Sequence, residues 1–228
     1  MNKRIHLGII PDGNRRWCKS KGKEINYLIN YWFKNVFLNE IKILKDIIYN
    51  ENFDENYKDL SKIKEVSIYL ITADNINKRQ DVSTQIVFTL IEKLYHMIKN
   101  DLTTELSIFK YLKIDIIKSE CLIPHNILLM IEEIKELTKF NKTMLLTVGI
   151  GYDPNKDLEN IIQNGERDQT DIDLVFRSGG EKRLSGFFPF HTMHSELVFV
   201  DKLWPDIRLK DINDAVIEYE RRDRRFGK

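Results

Sequence analysis

Ile5-His6-Leu7-Gly8-Ile9-Ile10, followed at once by Pro11-Asp12-Gly13-Asn14-Arg15-Arg16-Trp17, decides the fold. Six mostly aliphatic residues read as a short buried strand, and the proline, aspartate and glycine behind them stop it in a turn. The same unit recurs along the chain. Val66 to Ile71, Leu112 to Ile117, Met144 to Ile150, Ile172 to Phe176 and Leu197 to Val200 are further apolar runs of strand length. Between them lie stretches with apolar residues at helical spacing. These run from about Tyr27 to Tyr49 (Leu28, Tyr31, Trp32 and Val36 on one face), from Val82 to Ile98, from Pro124 to Leu137, briefly near Leu158, and from about Ile212. Pro124 suits the first turn of its helix. Strands alternating with helices predict an α/β fold with a largely parallel central sheet flanked by helices. No repeat or Pro/Gly-rich linker divides the 228 residues, so a single domain over 1–228 is expected.

Composition excludes several classes of function. The net charge of +1 offers no footprint for nucleic acid as a partner. No apolar run reaches membrane-spanning length, and Met1 to Arg4 leave no room for a signal peptide before the first strand. The two cysteines, Cys18 and Cys121, form no CxxC pair, and a reduced cytoplasmic protein is the economical reading.

In an open parallel sheet, ligands bind beyond the carboxyl ends of the strands. Three clusters stand there: Pro11 to Trp17, Thr72-Ala73-Asp74-Asn75-Ile76-Asn77-Lys78, and Arg177-Ser178-Gly179-Gly180-Glu181-Lys182-Arg183-Leu184-Ser185. Guanidinium forks suit phosphate oxygens, glycine-rich turns expose N–H groups, and Asp12 could hold a magnesium ion. This is the chemistry of a polyphosphate site. Ordinary turn residues with solvated charges would explain any one cluster alone.

At these residues the chain resembles a known family. His6 to Trp17 is similar to the amino-terminal signature of the undecaprenyl diphosphate synthase family of cis-prenyltransferases. Asp173 through Ser185, Ser195-Glu196-Leu197, Trp204-Pro205-Asp206 and Arg222 to Gly227 resemble its carboxyl-terminal signature, in the family's order and spacing. The resemblance implies a prenyl transferase condensing isoprenoid diphosphates, normally an allylic diphosphate with isopentenyl diphosphate, and releasing pyrophosphate. It implies Mg²⁺ held by Asp12, with Glu196 as a second acidic group linked to metal. Gly13, Asn14, Arg15 and Arg16 would cradle the allylic diphosphate, and Asn75 beside Thr72 would orient the reacting groups and the departing proton. Lys78 stands where the family has an arginine. Arg177, Arg183 and Ser185 match the site of the second diphosphate. Arg225 and Gly227 match a terminal Arg-x-Gly that reaches a neighbouring subunit, which implies a homodimer. The family's apolar tunnel between sheet and helices would hold the growing chain, and a peripheral membrane contact for product release stays open.

Blander readings stand beside these. Trp17 belongs equally to the substrate wall or to packing, and Trp204 to the core. His191-x-x-His194-x-Glu196 has a zinc-like spacing but no clear third ligand. Glu181 and Asp206 are as much structural partners of nearby arginines as catalytic groups. The basic run Arg221 to Arg225 would ordinarily be a solvated helix end.

The departures from the family concern the first substrate. Ile25, Leu28-Ile29 and Trp32 stand where relatives have an arginine, a Gly-His pair and a glycine, and Asp153-Pro154-Asn155 replaces a Gly-Gly-Arg. Leu70 stands where long-chain members have alanine. A short product is therefore expected, with Leu70, Tyr31 and Trp32 filling the tunnel; Phe33 and Phe37 equally fit filling it or packing the helix onto the sheet. Two alternatives remain: head-to-middle joining of two dimethylallyl diphosphates, and a non-catalytic partner subunit.

Overall fold

β1 (Ile5–Ile10), buried along its whole length, is the axis of the molecule. In the computed structural model, which describes residues 4–37, 55–78, 82–101, 108–118, 123–165 and 169–223, it pairs on both sides. The other strands are β2 (Ile63–Thr72), β3 (Leu112–Lys118), β4 (Met144–Tyr152), β5 (Leu174–Arg177) and β6 (Glu196–Phe199). All pair in parallel, in the order β3-β4-β2-β1-β5-β6. The helices are α1 (Asn14–Ser20), α2 (Ile25–Trp32), α3 (Ala73–Lys78), α4 (Val82–Asp101), α5 (His125–Thr138), α6 (Pro154–Asn164) and α7 (Leu209–Arg221).

The chain leaves β1 toward β2 on one side, while β4 returns across the sheet to β5 on the other. The crevice between the carboxyl ends of β1 and β5 is therefore the topological switch point, where doubly wound folds bind ligands.

One face of the sheet carries α4 and α5, through Val87, Ile91, Ile98, Ile127, Ile131 and Ile134. Farther along that face α7 packs through Val216 and Tyr219 onto Ile5, Leu7 and Ile9. The opposite face is closed by the loop residues Phe187 and Phe188 against Ile10, Tyr152 and Val175.

Local structure departs from the sequence reading in three places. The turn expected over Pro11 to Trp17 closes into α1 at Asn14, because Gly13 takes the left-handed conformation (φ +99°) and redirects the chain. A side chain at Gly13 would also meet the Leu203 side chain at 2.7 Å. The turn expected after β2 becomes α3, capped by the Thr72 hydroxyl, which accepts from the Asn75 N–H at 3.2 Å. The helix expected from Tyr27 begins at Ile25 and tightens into a π turn at Phe33–Phe37; its extension to Tyr49 lies outside the described residues.

Candidate active site

Asp12 sits just past β1, and both of its carboxylate oxygens are engaged. Oδ1 accepts from the Gly13 N–H at 2.6 Å, and Oδ2 accepts from Arg177 Nη2 at 2.9 Å, with Arg16 Nη2 3.6 Å away. Arg177 ends β5 with its side chain only 4% exposed, whereas that of Asp12 is 32% exposed, toward the cavity. The other Arg177 nitrogen, Nη1, donates to the Ser185 hydroxyl at 3.0 Å and to the Arg183 carbonyl. One guanidinium thus ties the turn after β1 to the loop after β5. Ser185 is held at φ +52°, a strained backbone for a residue other than glycine and a common mark of functional loops. Asn14 uses its amide to donate to the Pro11 carbonyl at 3.0 Å, closing the turn behind Asp12.

A cavity of about 950 Å³ opens from this cluster. Its polar mouth holds Asp12, Gly13, Asn14, Arg15, Arg16, Arg177, Arg183 and Ser185, with Thr72 and Asn75 across from them. Its apolar end runs between the sheet and the helices α2 and α4, lined by Ile25, Leu28, Ile29, Ile68, Leu70, Val87 and Leu90. Leu70 is a bulge. Tyr69 faces Gly149 and Ile71 faces Ile150, so Leu70 is the extra residue of β2. Bulges recur beside active sites because they re-aim a side chain.

Tyr69, which the sequence reading passed over, also lines the cavity. Its ring packs on Phe187 at 5.2 Å. Burial pushes its phenol above the ordinary value, opposed by the Arg177 charge and helped by that of Asp12. The hydroxyl is therefore a neutral donor near both groups. Its place at the end of a strand that opens on the polar mouth was the available signal.

Most of the expected site residues line this one cavity; of the described ones, Trp17 and Glu196 do not. Trp17 is 2% exposed and lies off the cavity, stacked on Tyr27 and tilted against Tyr31 (4.6 Å between the rings of Trp17 and Tyr31). Of its two readings, packing is the one the structure shows. Glu196 opens β6 at the edge of the sheet away from Asp12, about 10 Å back along the strand from the level of Arg177, and pairs with Arg222 at 2.9 Å. A residue at the start of a parallel strand cannot reach the carboxyl-end crevice of its own chain. The Lys78 side chain, Arg225 and Gly227 lie outside the described residues, as do Cys121, Phe226 and the side chains of Trp32, Val36 and Phe37.

Trp204 packs against the core cluster of Ile5, Leu7 and Ile9, as expected, and also lines the cavity; its main-chain N–H donates to the Asp12 carbonyl at 3.0 Å. Glu181 pairs with Arg183 at 2.5 Å. His191 is buried 3.8 Å from the Asp157 carboxylate, while His194 is exposed.

Asp12, Asp74 and Asp153 line the cavity without converging, and among the described residues no three His, Cys, Asp or Glu side chains could share a metal ion. One accessible carboxylate amid guanidinium groups fits magnesium that arrives with phosphate oxygens and water as its other ligands. No described helix is long and apolar enough to cross a membrane.

Known proteins resemble the chain along nearly its whole length. Residues 156–227 match the model of a family described as putative undecaprenyl diphosphate synthase. The chain is 30% identical to a tritrans,polycis-undecaprenyl-diphosphate synthase (geranylgeranyl-diphosphate specific) of Aeropyrum pernix, over 97% of each chain. It is 26% identical to an isoprenyl transferase of Fusobacterium nucleatum, over 97% of this chain and 95% of the relative. Its fold matches that of lavandulyl diphosphate synthase from Lavandula x intermedia, solved with dimethylallyl diphosphate (TM-score 0.74, 23% identity, 100% and 99% of the two chains). It also matches a probable undecaprenyl diphosphate synthase from Campylobacter jejuni (TM-score 0.68, 20% identity, all of both chains).

Proposed function

Because the chain belongs to the undecaprenyl diphosphate synthase family of cis-prenyltransferases, we propose that this cavity joins an allylic diphosphate to isopentenyl diphosphate, releasing pyrophosphate and a proton. The observation that carries the reading is the two-ended cavity, guanidinium groups around the Asp12 carboxylate at its mouth and aliphatic walls behind. That is the shape of an amphiphile with a diphosphate head and a prenyl tail.

Arg15 and Arg16, with the turn at Gly13 and Asn14, hold the allylic diphosphate; Arg177, Arg183 and Ser185 hold that of the second substrate. Binding draws Arg177 from the Asp12 carboxylate onto phosphate oxygens. Magnesium held by Asp12 would supply charge that stabilises the departing diphosphate. Asn75 and Thr72 orient the reacting carbons and the departing proton. Positioning and leaving-group stabilisation then account for most of the rate. Glu196, remote from Asp12 within its own chain, would serve metal binding only through a neighbouring subunit. Such a homodimer would bring Arg225 and Gly227 to the partner's site.

The apolar end is the tunnel in which the product grows. Relatives carry undecaprenyl in their names, yet here the bulky Ile25, Leu28, Ile29 and Leu70 line it, and larger wall side chains leave a growing chain less room. We assign a short product on that ground.

The test incubates the purified chain and Mg²⁺ with dimethylallyl or geranylgeranyl diphosphate, with and without isopentenyl diphosphate, and reads products by mass spectrometry. Condensation that needs isopentenyl diphosphate and is abolished by EDTA is expected. Product from dimethylallyl diphosphate alone would establish head-to-middle joining instead. No turnover by the isolated chain under any condition would point to a partner subunit.

A further inference from the structure

Ser178 follows β5 and is fully buried, so it touches neither solvent nor substrate. Its hydroxyl accepts from the Asp12 N–H at 3.0 Å and donates to the Asp12 carbonyl at 2.9 Å. Its own N–H donates to the Ile10 carbonyl at 3.3 Å. One residue therefore grips the main chain on both sides of Pro11. Its neighbour Arg177 grips the Asp12 carboxylate, and its other neighbour, Gly179, closes the contact. A side chain on Gly179 would meet Arg16 Nη2 at 2.8 Å and the Asp12 carbonyl carbon and oxygen at 3.1 Å.

We propose that Ser178 is a positioning residue, a two-point clamp that holds the Asp12 main chain so that its carboxylate stays aimed at the leaving diphosphate. The chain separation between the two residues shows what the clamp does: β1 and β5 pair through Leu7–Leu174 to Ile10–Arg177, and Ser178 extends that register one residue past the strands, to the point where the chemistry starts. The inter-strand main-chain bonds between β1 and β5 reach as far as Ser178 N–H to the Ile10 carbonyl, and the hydroxyl adds two bonds beyond it, at Asp12. The clamp is not needed to keep the turn's polar groups satisfied. The Asp12 N–H also donates to the Ile10 carbonyl at 3.0 Å, and the Asp12 carbonyl also accepts from Trp204 N–H at 3.0 Å. Removing the hydroxyl strands neither group, so the fold survives and the aim of Asp12 is what changes.

This inference rests on Asp12 being the centre of the site, and the experiment separates the two claims. Parent, Asp12→Asn, Ser178→Ala, Ser178→Cys and Ser178→Thr are compared for kcat, KM of both diphosphates and Tm. Cysteine keeps the volume but hydrogen-bonds poorly, and it replaces alanine as the reporter should alanine fail to fold. Ser178→Ala and Ser178→Cys should lower kcat by about a hundredfold, the scale of a small misplacement of a catalytic group. KM should change by less than about threefold, since the clamp acts on the transition state rather than on ground-state binding. Ser178→Thr, which keeps the hydroxyl, should restore most of kcat. A parent-like kcat in Ser178→Ala or Ser178→Cys beside an inactive Asp12→Asn overturns the clamp alone. So does a rise in KM in place of a fall in kcat, or a threonine variant no better than cysteine. A parent-like Asp12→Asn overturns the reading of the site and the clamp with it.

Discussion

The two ends of the cavity are built in opposite ways. At the mouth, Asp12, Arg177, Ser178 and Ser185 are joined by hydrogen bonds between parts of the chain some 165 residues apart in sequence (Asp12 to Arg177), and each side chain has a fixed partner. At the far end, Ile25, Leu28, Ile29 and Leu70 share only volume. Directional bonds fail when one partner changes, whereas an aliphatic wall yields by degrees as atoms are removed. Under the proposed function, the reaction belongs to the first region and the choice of product to the second.

The sharpest way to break that division is at the mouth. Asp12→Asn should lower kcat by about a thousandfold or more, because it removes the charge facing the leaving diphosphate. It should also destabilise the protein by about 1–3 kcal/mol in urea unfolding, since the buried Arg177 loses its ionic partner. The cost comes from Arg177, since a solvated carboxylate in a turn would lose little on substitution. A kcat within tenfold of the parent, with unchanged magnesium dependence, would end the assignment.

Arg177→Lys comes next. A lysine cannot reach Asp12, Ser185 and the Arg183 carbonyl together, so kcat/KM for isopentenyl diphosphate should fall by about ten- to a hundredfold with product length unchanged. An altered product length would blur the boundary between the regions.

Trp17→Phe probes a residue near the mouth that belongs to neither region. Its ring stays stacked and its indole N–H, buried without a hydrogen-bond partner among the described residues, is removed. Steady-state kcat should stay within about twofold, with stability changed by less than about 1.5 kcal/mol. A large loss of activity would return Trp17 to the substrate wall.

The smallest effect is on stability against pH. His6 is buried between Ser67 (2.8 Å) and Thr170 (2.9 Å), and burial holds its pKa below the ordinary value, against the pull of Glu65 and Asp173. Below the ordinary histidine value near 6.5 the unfolded chain takes up a proton that folded His6 refuses. Stability should therefore fall as pH drops below about 6.5, and His6→Gln should flatten that slope in thermal melts. An identical slope in the variant would remove His6 as its cause.

Much of this was legible in the sequence. The alternation of apolar strands and amphipathic helices located all six strands, and the strand-end rule gathered Asp12, Asn75 and Arg177 at one edge of the sheet. What was not legible has physical reasons. Asn14 to Arg16 have turn-forming composition, and only the left-handed Gly13 makes them a helix. Tyr69 looks like any strand aromatic until the bulge at Leu70 shows where the cavity begins. Ser178 depends on the register of β1 against β5, which no local pattern encodes. Glu196 is different: it is named on motif likeness, and its position just before a strand puts it, within its own chain, at the end of the sheet opposite Asp12.

The central claim, that the apolar wall sets product length independently of the chemistry at the mouth, is tested most directly by the product profile of Leu28→Ala/Leu70→Ala. Parent and variant are given Mg²⁺, dimethylallyl diphosphate and excess isopentenyl diphosphate, and prenyl diphosphates are sized by mass spectrometry at equal turnover. A short product from the parent, and a distribution at least one isoprene unit longer from the variant with kcat within about tenfold, is the expected result. Long polyprenyl diphosphates from the parent, or an unchanged length accompanied by lost activity, would contradict it.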